Sequence, residues 1–343
     1  MKKKLALVIA ATLIAANVGP VFSQPSYQGK TIRIVIPTTV GGSYGLYGQL
    51  VSRHLGKHLP GNPGVAIAAM PGAGGLVALN YLASASPPKD GTTITIAQVT
   101  LVQESLFNKE ARFDARDFKW IGRLDSIAFI GVASQRSGIR SLDDARKREV
   151  ITGAPGLSNI PAQAPLVLNK IANTRFRLIS GYNGTGQVFL ALERGEVEVA
   201  ATSVAAIRSL HADAMKKGEF VALFAHAGRR LSDFPNIPTL GEFAVSDLEK
   251  AFMRIFSLTA DIGRALSAPP GTPDDVLDVY RTAYQLMLRD PAFQAEAKKL
   301  DLDMDPLSGI ELGELVSEAM NISKADADEM KKFYEELFAS TAK

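Results

Sequence analysis

Residues 31–58 read TIRIVIPTTVGGSYGLYGQLVSRHLGKH, and this stretch decides the fold class. Alternating isoleucines, typical of a β-strand, end at Pro37, and a turn with three glycines follows. Apolar residues then recur at helical spacing at Leu46, Leu50 and Leu55. The stretch therefore predicts a strand, a glycine loop and a helix, the repeating unit of an α/β protein.

The predicted glycine loop would present backbone N–H groups at the positive end of a helix dipole, where an anion binds. Three functions fit such a loop: it could bind a nucleotide, hold a carboxylate ligand, or act as a nucleophile elbow. The last follows from residues 41–45, because GGSYG matches the G-x-S-x-G pattern after a strand. The stretch alone leaves all three open.

The N-terminus predicts export. Three lysines at positions 2–4 precede an apolar run over residues 5–18, and small residues at suitable offsets follow. Residues 1–23 are therefore interpreted as a signal peptide, and the mature protein as periplasmic. The apolar run is shorter than the ~20 residues that span a bilayer, which disfavours the alternative of a retained membrane anchor.

Charge and composition exclude several functions. The chain has 38 Lys and Arg residues against 35 Asp and Glu residues. The predicted signal peptide contains three of the lysines and no acidic residue, so the remainder is formally neutral, without the basic stripe of a nucleic-acid-binding protein. Because the chain has no cysteine, disulfides, thiol catalysis and Cys-ligated metals are excluded.

Strand and helix patterns alternate along the 343 residues, as expected for parallel sheets covered by helices in two domains. The first domain is predicted over residues 24–129 and 254–343, and the second over residues 130–253. The chain would return to the first domain through residues 254–260.

The positions of the glycines and histidines disfavour two kinds of site, a nucleotide-binding loop and a metal site. A dinucleotide fingerprint requires a third glycine where Val77 stands, and a P-loop requires a Gly-Lys-Ser/Thr sequence that the chain lacks. His54 and His58 are four residues apart on a predicted helix, but they lack the intervening glutamate and the third ligand of a zinc site. The sequence therefore predicts no cofactor and no metal.

A serine hydrolase built on Ser43 is a stronger alternative, although Ser43 follows the first mature strand rather than a later one. A triad also requires a histidine, and the two nearest histidines lie on the helix that Ser43 precedes. His211 falls in a predicted helix without a motif. His226 closes a strand and would take Asp213 or Asp233 as its orienting acid.

Four glycine-containing loops each follow a predicted strand, at residues 38–45, 71–75, 154–159 and 181–186. Two of them lie in each predicted domain. Because ligands of open parallel sheets bind at the carboxyl ends of the strands, these loops are expected to converge on a cleft that holds a small anion. Tyr182 is either a lid over that ligand or an ordinary half-buried tyrosine.

The order of eight segments, TIRIVIP, GGSYG, MPGAGG, PKDG, TGAPGLSN, GYNGTG, FPNIPTLGE and APPGTP, resembles the solute-binding proteins of tripartite tricarboxylate transporters, also called the Bug family. The resemblance spans essentially the whole mature chain. It implies an α/β, two-domain periplasmic binding protein of the type II, Venus-flytrap kind, with each domain a mainly parallel sheet flanked by helices. It also implies a monomeric receptor without catalytic activity, which captures a small carboxylate and delivers it to the membrane subunits of a transporter.

The resemblance also implies which loops hold the carboxylates of the ligand, partly through bridging water. These are the loop after the first strand, the second glycine turn and two loops of the second domain; residues at the ends of two further strands, Gln98 and Ser203, are predicted beside them. The predicted ligand-binding residues are Gly41, Gly42, Ser43, Tyr44, Gly72, Ala73, Gly74, Gln98, Pro155, Gly156, Leu157, Ser158, Asn159, Tyr182, Asn183, Gly184 and Ser203.

The chain departs from the family pattern at two places. Gly45 stands where the family loop usually has aspartate, and Ala-Ala-Met at residues 68–70 replaces the family's Glu-Asn-Arg. The ligand is therefore not inherited from the resemblance. A sensor receptor that presents its ligand to a signalling partner, and the secreted serine hydrolase described above, are the alternative functions.

Overall fold

The quoted stretch forms the predicted strand, loop and helix. Strand β1 is Thr31–Ile36, and helix α1 is Ser43–His54. The three isoleucines of β1 are fully buried, which explains why the alternating run forms a sheet strand. This unit is the first of several along the chain.

The computed structural model describes residues 26–41, 43–157 and 159–339. The predicted signal peptide, and the predicted ligand residues Gly42 and Ser158, lie outside the described residues. None of the described helices combines the length and the apolar character needed to cross a membrane.

Eleven strands and thirteen α-helices alternate over the described part of the chain. The strands are β1 Thr31–Ile36, β2 Gly64–Ala69, β3 Thr93–Ile96, β4 Lys119–Arg123, β5 Phe129–Ser134, β6 Val150–Ala154, β7 Phe176–Ser180, β8 Val199–Ser203, β9 Phe220–His226, β10 Ala265–Ala268 and β11 Leu307–Ser308. The helices are α1 Ser43–His54, α2 Leu76–Ala83, α3 Leu101–Phe107, α4 Leu142–Lys147, α5 Ile160–Ile171, α6 Thr185–Arg194, α7 Val204–Leu210, α8 Ala212–Lys216, α9 Asp247–Ile262, α10 Asp274–Arg289, α11 Pro291–Lys299, α12 Gly309–Ala319 and α13 Lys324–Ala339.

The strands form two sheets, which with their helices make a first lobe and a second lobe. The sheet of the first lobe has the order β11-β4-β10-β3-β1-β2, and that of the second has the order β7-β6-β8-β5-β9. Both sheets are mixed rather than mainly parallel: β10 and β5 each run antiparallel to both neighbours, and the short β11 runs antiparallel to β4. Strands β5 and β10 are the first to enter their sheets after the chain crosses from the other lobe, so no βαβ crossover constrains their direction.

The two connections between the lobes run side by side. Residues 124–128 lead from β4 to β5, and α9 leads from the second lobe to β10. The backbone N–H of Leu124 donates to the Arg264 carbonyl at 2.9 Å, and the N–H of Arg264 donates to the Asp125 carbonyl at 2.7 Å. We call this hydrogen-bonded pair of segments the joint.

The return connection is helical, a feature that the sequence analysis did not predict. Residues 254–260 lie inside α9, whose N-cap is Ser246, and the hydroxyl of Ser246 accepts from the N–H of Glu249 at 3.2 Å. Phe252 and Phe256 are fully buried on one face of the helix. The capping box and the apolar face together explain why this segment is helical.

The C-terminal helix α13 contacts both lobes, although its residues were assigned to the first domain. The Tyr334 hydroxyl accepts from Gln163 Nε2 of α5 at 3.0 Å, and Glu336 pairs with Lys170 Nζ at 2.6 Å. Helix α13 also packs on α3 and α9. One helix at the end of the chain thus connects the two lobes away from the joint.

Candidate functional site

A cavity of about 660 Å³ lies between the two lobes. Segments at the ends of β1, β2 and β3 line it from the first lobe, and segments at the ends of β6, β7 and β8 line it from the second. Each set of three strands is parallel, so their carboxyl ends meet at the same edge of the sheet. All four glycine loops therefore reach one cleft, as the sequence analysis expected.

The predicted ligand residues divide into three groups. The cavity wall contains Ser43, Tyr44, Gly72, Gly74, Gln98, Pro155, Asn159 and Ser203. Other predicted residues lie in the same loops but outside the wall, namely Gly41, Ala73, Gly156, Leu157, Tyr182, Asn183 and Gly184. Tyr182 is partly buried against the apolar core of the second lobe, as in the second of its two interpretations. Gly42 and Ser158 belong to the segments that the structure does not describe.

Tyr44 ties three loops of the first lobe together. Its hydroxyl donates to Gln98 Oε1 at 2.7 Å and accepts from the N–H of Val99 at 3.2 Å. Gln98 Nε2 in turn donates to the Gly74 carbonyl at 2.5 Å. Gly75 permits this packing, because a Cβ there would lie 3.0 Å from Gln98 Cγ and its φ is +101°. The Tyr44 hydroxyl is therefore engaged within the wall.

Arg264 is a charged residue of the cavity wall that the sequence analysis missed. Its guanidinium lies 4.5 Å from the Tyr44 ring centroid and 5.8 Å from the Tyr47 ring centroid, and Nη2 donates to Ser43 Oγ at 2.6 Å. Only 7% of Arg264 is exposed, yet Nε has no hydrogen-bond partner, and no Asp or Glu of the described segments forms an ion pair with it. The sequence signal for it was a lone arginine in the apolar run 262–268.

A second buried arginine shows how a guanidinium is satisfied elsewhere in this fold. Arg123 donates to Asp305 Oδ2 at 2.8 Å and to the carbonyls of Asp305 and Asp261 at 2.9 and 2.7 Å. A buried charge without such partners destabilises a protein. Within the described part of the chain, the Arg264 guanidinium donates to one acceptor, the Ser43 hydroxyl, and forms no ion pair of the kind that Arg123 has. An anionic ligand would supply such a partner.

Ser43 has no histidine partner among the hydrogen bonds of the described residues, so the catalytic triad considered above is not assembled. His54 Nε2 lies 2.6 Å from Glu296 Oε2, and His58 Nε2 lies 3.3 Å from Asp290 Oδ2. These contacts hold α1 and the turn after it against α11 and its N-cap. Both histidines that were considered as metal ligands are used in this packing.

The other two histidines occupy different environments. His226 is fully buried outside the cavity wall, its Nε2 lies 2.6 Å from Thr259 Oγ1, and burial lowers its pKa to about 3. His211 does line the cavity, but it lies at a break between α7 and α8 rather than inside a helix as predicted. Its ring stacks on Phe189 with centroids 4.1 Å apart, and burial lowers its pKa.

A second cavity of about 610 Å³ adjoins the first, and Ser43 and Arg264 line both. Arg208 of α7 reaches Asp303 of the first lobe, with both carboxylate oxygens 3.0 Å from Nη1. Its Nε lies 2.7 Å from Asp233 Oδ2. An ion pair therefore joins the two lobes on this side of the cleft.

Asp125 lies in the wall of this second cavity. Its carboxylate accepts from the Tyr47 hydroxyl at 3.0 Å. Burial is the largest influence and raises the pKa of Asp125 to about 7; Asp303 and Asp305 also raise it, while the Tyr47 hydrogen bond and Arg264 lower it.

Exchanging Asp125 for asparagine is expected to flatten the pH dependence of stability. Folding raises the pKa from 3.8 to about 7, so the native protein binds this proton more tightly than the unfolded chain, and stability falls as the pH rises through that range. Between pH 5 and pH 8 the wild type is expected to lose about 2 kcal/mol more than the variant, measured by urea unfolding. All other titrating groups are common to both proteins, so equal losses would contradict a raised pKa of Asp125.

Sequence comparison identifies relatives over most of the chain. The model of the tripartite tricarboxylate transporter family receptor matches residues 49–330. A UPF0065 protein from Bordetella bronchiseptica is 27% identical over 292 residues, which cover 83% of this chain and 81% of the relative.

Solved structures share the fold. A TctC solute binding protein from Polaromonas superposes with a TM-score of 0.64 at 17% identity, covering 92% of this chain and 100% of that chain. A protein of R. palustris with adipate has a TM-score of 0.63 at 17% identity, covering 89% and 97% of the two chains. At these identities the likeness concerns the fold alone, and it confirms the predicted two-domain α/β architecture of a solute-binding protein.

Proposed function

We propose that this chain, which belongs to the tripartite tricarboxylate transporter family receptors, captures a small organic acid by binding its carboxylate to Arg264 in the cleft between the lobes. The family is one of solute receptors rather than of enzymes. The observation that carries the proposal is a buried guanidinium in the cavity wall whose Nε has no hydrogen-bond partner and which forms no ion pair with an acidic side chain of the described residues.

The surroundings of Arg264 suit a carboxylate. Arginine presents a planar fork of donors that can bind both carboxylate oxygens, and the free Nε belongs to that fork. The Tyr44 ring packs on the guanidinium and helps to hold its plane. Ser43 accepts from Arg264, so its own hydroxyl proton can point to the ligand. Ser43 also begins α1, whose dipole favours negative charge at this end.

The second lobe can complete the site when the cleft closes on a ligand. Asn159 is the N-cap residue of α5, and Thr185 is the first residue of α6; both line the cavity. A micromolar ligand requires about 8 kcal/mol of binding free energy, and charge-assisted hydrogen bonds contribute about 1.5 to 3 kcal/mol each. A few such bonds from each lobe would therefore be sufficient after the cost of closure.

Membership of the family supports a physiological role. In this proposal residues 1–23 export the protein to the periplasm, where it acts as a monomer and delivers its ligand to the membrane subunits of a transporter. A relative of the same fold was solved with adipate, which supports an organic acid as the ligand. The domains are proposed as residues 24–129 with 254–343 and residues 130–253, the later boundary falling inside α9.

Ligand-dependent thermal shifts over a panel of carboxylic acids test this proposal. An acid present at 100 times its Kd is expected to raise the unfolding temperature by about 5 °C. The methyl esters of the same acids are the matched controls and are expected to leave it unchanged, because they lack the charge that Arg264 requires.

Two outcomes would contradict the receptor. A panel in which no acid shifts the unfolding temperature would leave Arg264 without a carboxylate ligand. Hydrolysis of an ester that the Ser43→Ala variant abolishes would instead support the serine hydrolase.

A further inference from the structure

We infer that the ligand is a monocarboxylate with an apolar body. This inference rests on the proposed function and narrows its ligand class. It depends on how many charges the cleft can neutralise, and on where its apolar surface lies.

The wall of the 660 Å³ cavity offers one full positive charge. Of the described residues that line this cavity, Arg264 alone is an arginine or lysine, and none is an aspartate or glutamate. His211 is the other basic side chain there, and burial favours its neutral form. One carboxylate is therefore neutralised by Arg264, and a second would meet no side-chain cation in this cavity.

The charges in the wall of the adjoining cavity do not favour binding of a second carboxylate. Its other cation is Arg208, which already binds Asp303 and Asp233. The same wall carries three further aspartates, at positions 125, 301 and 305. A ligand that extended a second carboxylate from Arg264 into this cavity would meet an excess of negative charge, which disfavours it.

The helix N-termini of the second lobe are the competing partners for a second carboxylate. Helices α5 and α6 both begin at the cavity wall, and each carries a partial positive charge at that end. A partial charge stabilises an anion less than a full cation does, whereas removing an ionised carboxylate from water is costly. The cleft therefore favours a ligand whose remaining part is uncharged.

Apolar side chains line the rest of the cavity. Phe189 of α6 is 2% exposed and forms an aromatic wall with the stacked ring of His211. The other large apolar residues of the wall are Ile127, Phe129, Ile160 and Leu210. Arg264 lies at the joint, while Phe189, Ile160 and Leu210 belong to the second lobe. A ligand with its carboxylate at the joint and an apolar body towards the second lobe satisfies both surfaces.

Matched acids that differ by one carboxylate test the inference. Calorimetric titration at pH 7 compares hexanoate with adipate and benzoate with terephthalate, using the wild-type protein. The monoacid of at least one pair is expected to bind at least tenfold more tightly than its diacid. The inference is overturned if the ratio of monoacid to diacid affinity is below ten in every pair that binds, including any pair in which the diacid binds more tightly. The proposed carboxylate receptor is not contradicted by that result. If none of the four acids binds but another acid of the panel does, that acid is compared with its own monoacid or diacid counterpart under the same criterion. Failure of the whole panel overturns the proposed function itself.

A second cation in the cleft should change the preference. Thr185→Lys adds an ammonium at a cavity-wall position at the start of α6, in the second lobe. The ratio of monoacid to diacid affinity is expected to fall at least fivefold in this variant. Leu190→Lys is the matched control, since Leu190 lies on the same helix, is 50% exposed and lines neither cavity. An equal change in both variants would show that the ratio reports overall charge, which would contradict the inference.

Discussion

Replacing Arg264 with glutamine is expected to weaken carboxylate binding about 100-fold, the loss of about 3 kcal/mol from a charge-assisted contact. The same change is expected to raise the free energy of unfolding of the ligand-free protein by about 1 kcal/mol, because it removes a buried charge without an acidic partner. Calorimetric titration with the tightest acid of the panel, and urea unfolding without ligand, measure the two effects. A substitution that weakens ligand binding while it raises the free energy of unfolding is typical of a residue that is retained for function.

Arg123→Gln is the matched control for Arg264. Arg123 is buried to a similar extent, but it binds Asp305 and two carbonyl groups and lies outside both cavity walls. Its replacement is expected to destabilise the protein by about 3 kcal/mol, since it leaves those acceptors unsatisfied. If Arg264→Gln destabilised the protein equally and left the affinity unchanged, Arg264 would be a structural residue and the proposed carboxylate site would be wrong.

Substituting Gly45 with aspartate, the residue that usually stands at this position of the family loop, is expected to destabilise this protein by about 2 kcal/mol. A Cβ at position 45 would overlap the carbonyl of Val40, because the loop after β1 folds back onto the first turn of α1. The φ of Gly45 is not positive, so the expected effect comes from the lack of space. The displaced loop is also expected to weaken ligand binding, because Ser43 lies between these two positions.

Gly48→Ala in the same helix is the control for Gly45. The nearest atom to a Cβ at position 48 is Ile67 Cδ1 at 3.4 Å, an ordinary contact. Alanine there is expected to stabilise the protein by about 0.5 to 1 kcal/mol through helix propensity. For Gly45→Asp, the expected loss of stability is opposite in sign to the gain that an acidic residue in a first helical turn normally gives. Urea unfolding distinguishes a loss from a gain. A Gly45→Asp variant as stable as the wild type would show that the loop accommodates the side chain.

Much of the fold was predictable from local patterns. Alternation in β1, the glycine turns after β1 and β2, and the apolar stripe of α10 each depend on residues close together in the chain. Their repetition correctly placed four loops at one cleft. The helical return α9 was not predicted, although Ser246 and Glu249 form the capping box that begins it: residues 254–260 were named as the crossing without an assigned secondary structure.

The sequence by itself determined the strand, loop and helix units, the convergence of the glycine loops, and the family. Only the tertiary structure decided that β5 and β10 are antiparallel, that α13 contacts both lobes, and that Arg264 stands beside Ser43. Ser43 and Arg264 are 221 positions apart in the chain, and no periodicity connects them. Periodic patterns report which face of an element is buried, whereas the pairing of distant elements depends on chain crossings that bring remote residues together. The charge that is proposed to select the ligand arises from such a crossing, at the joint between the lobes.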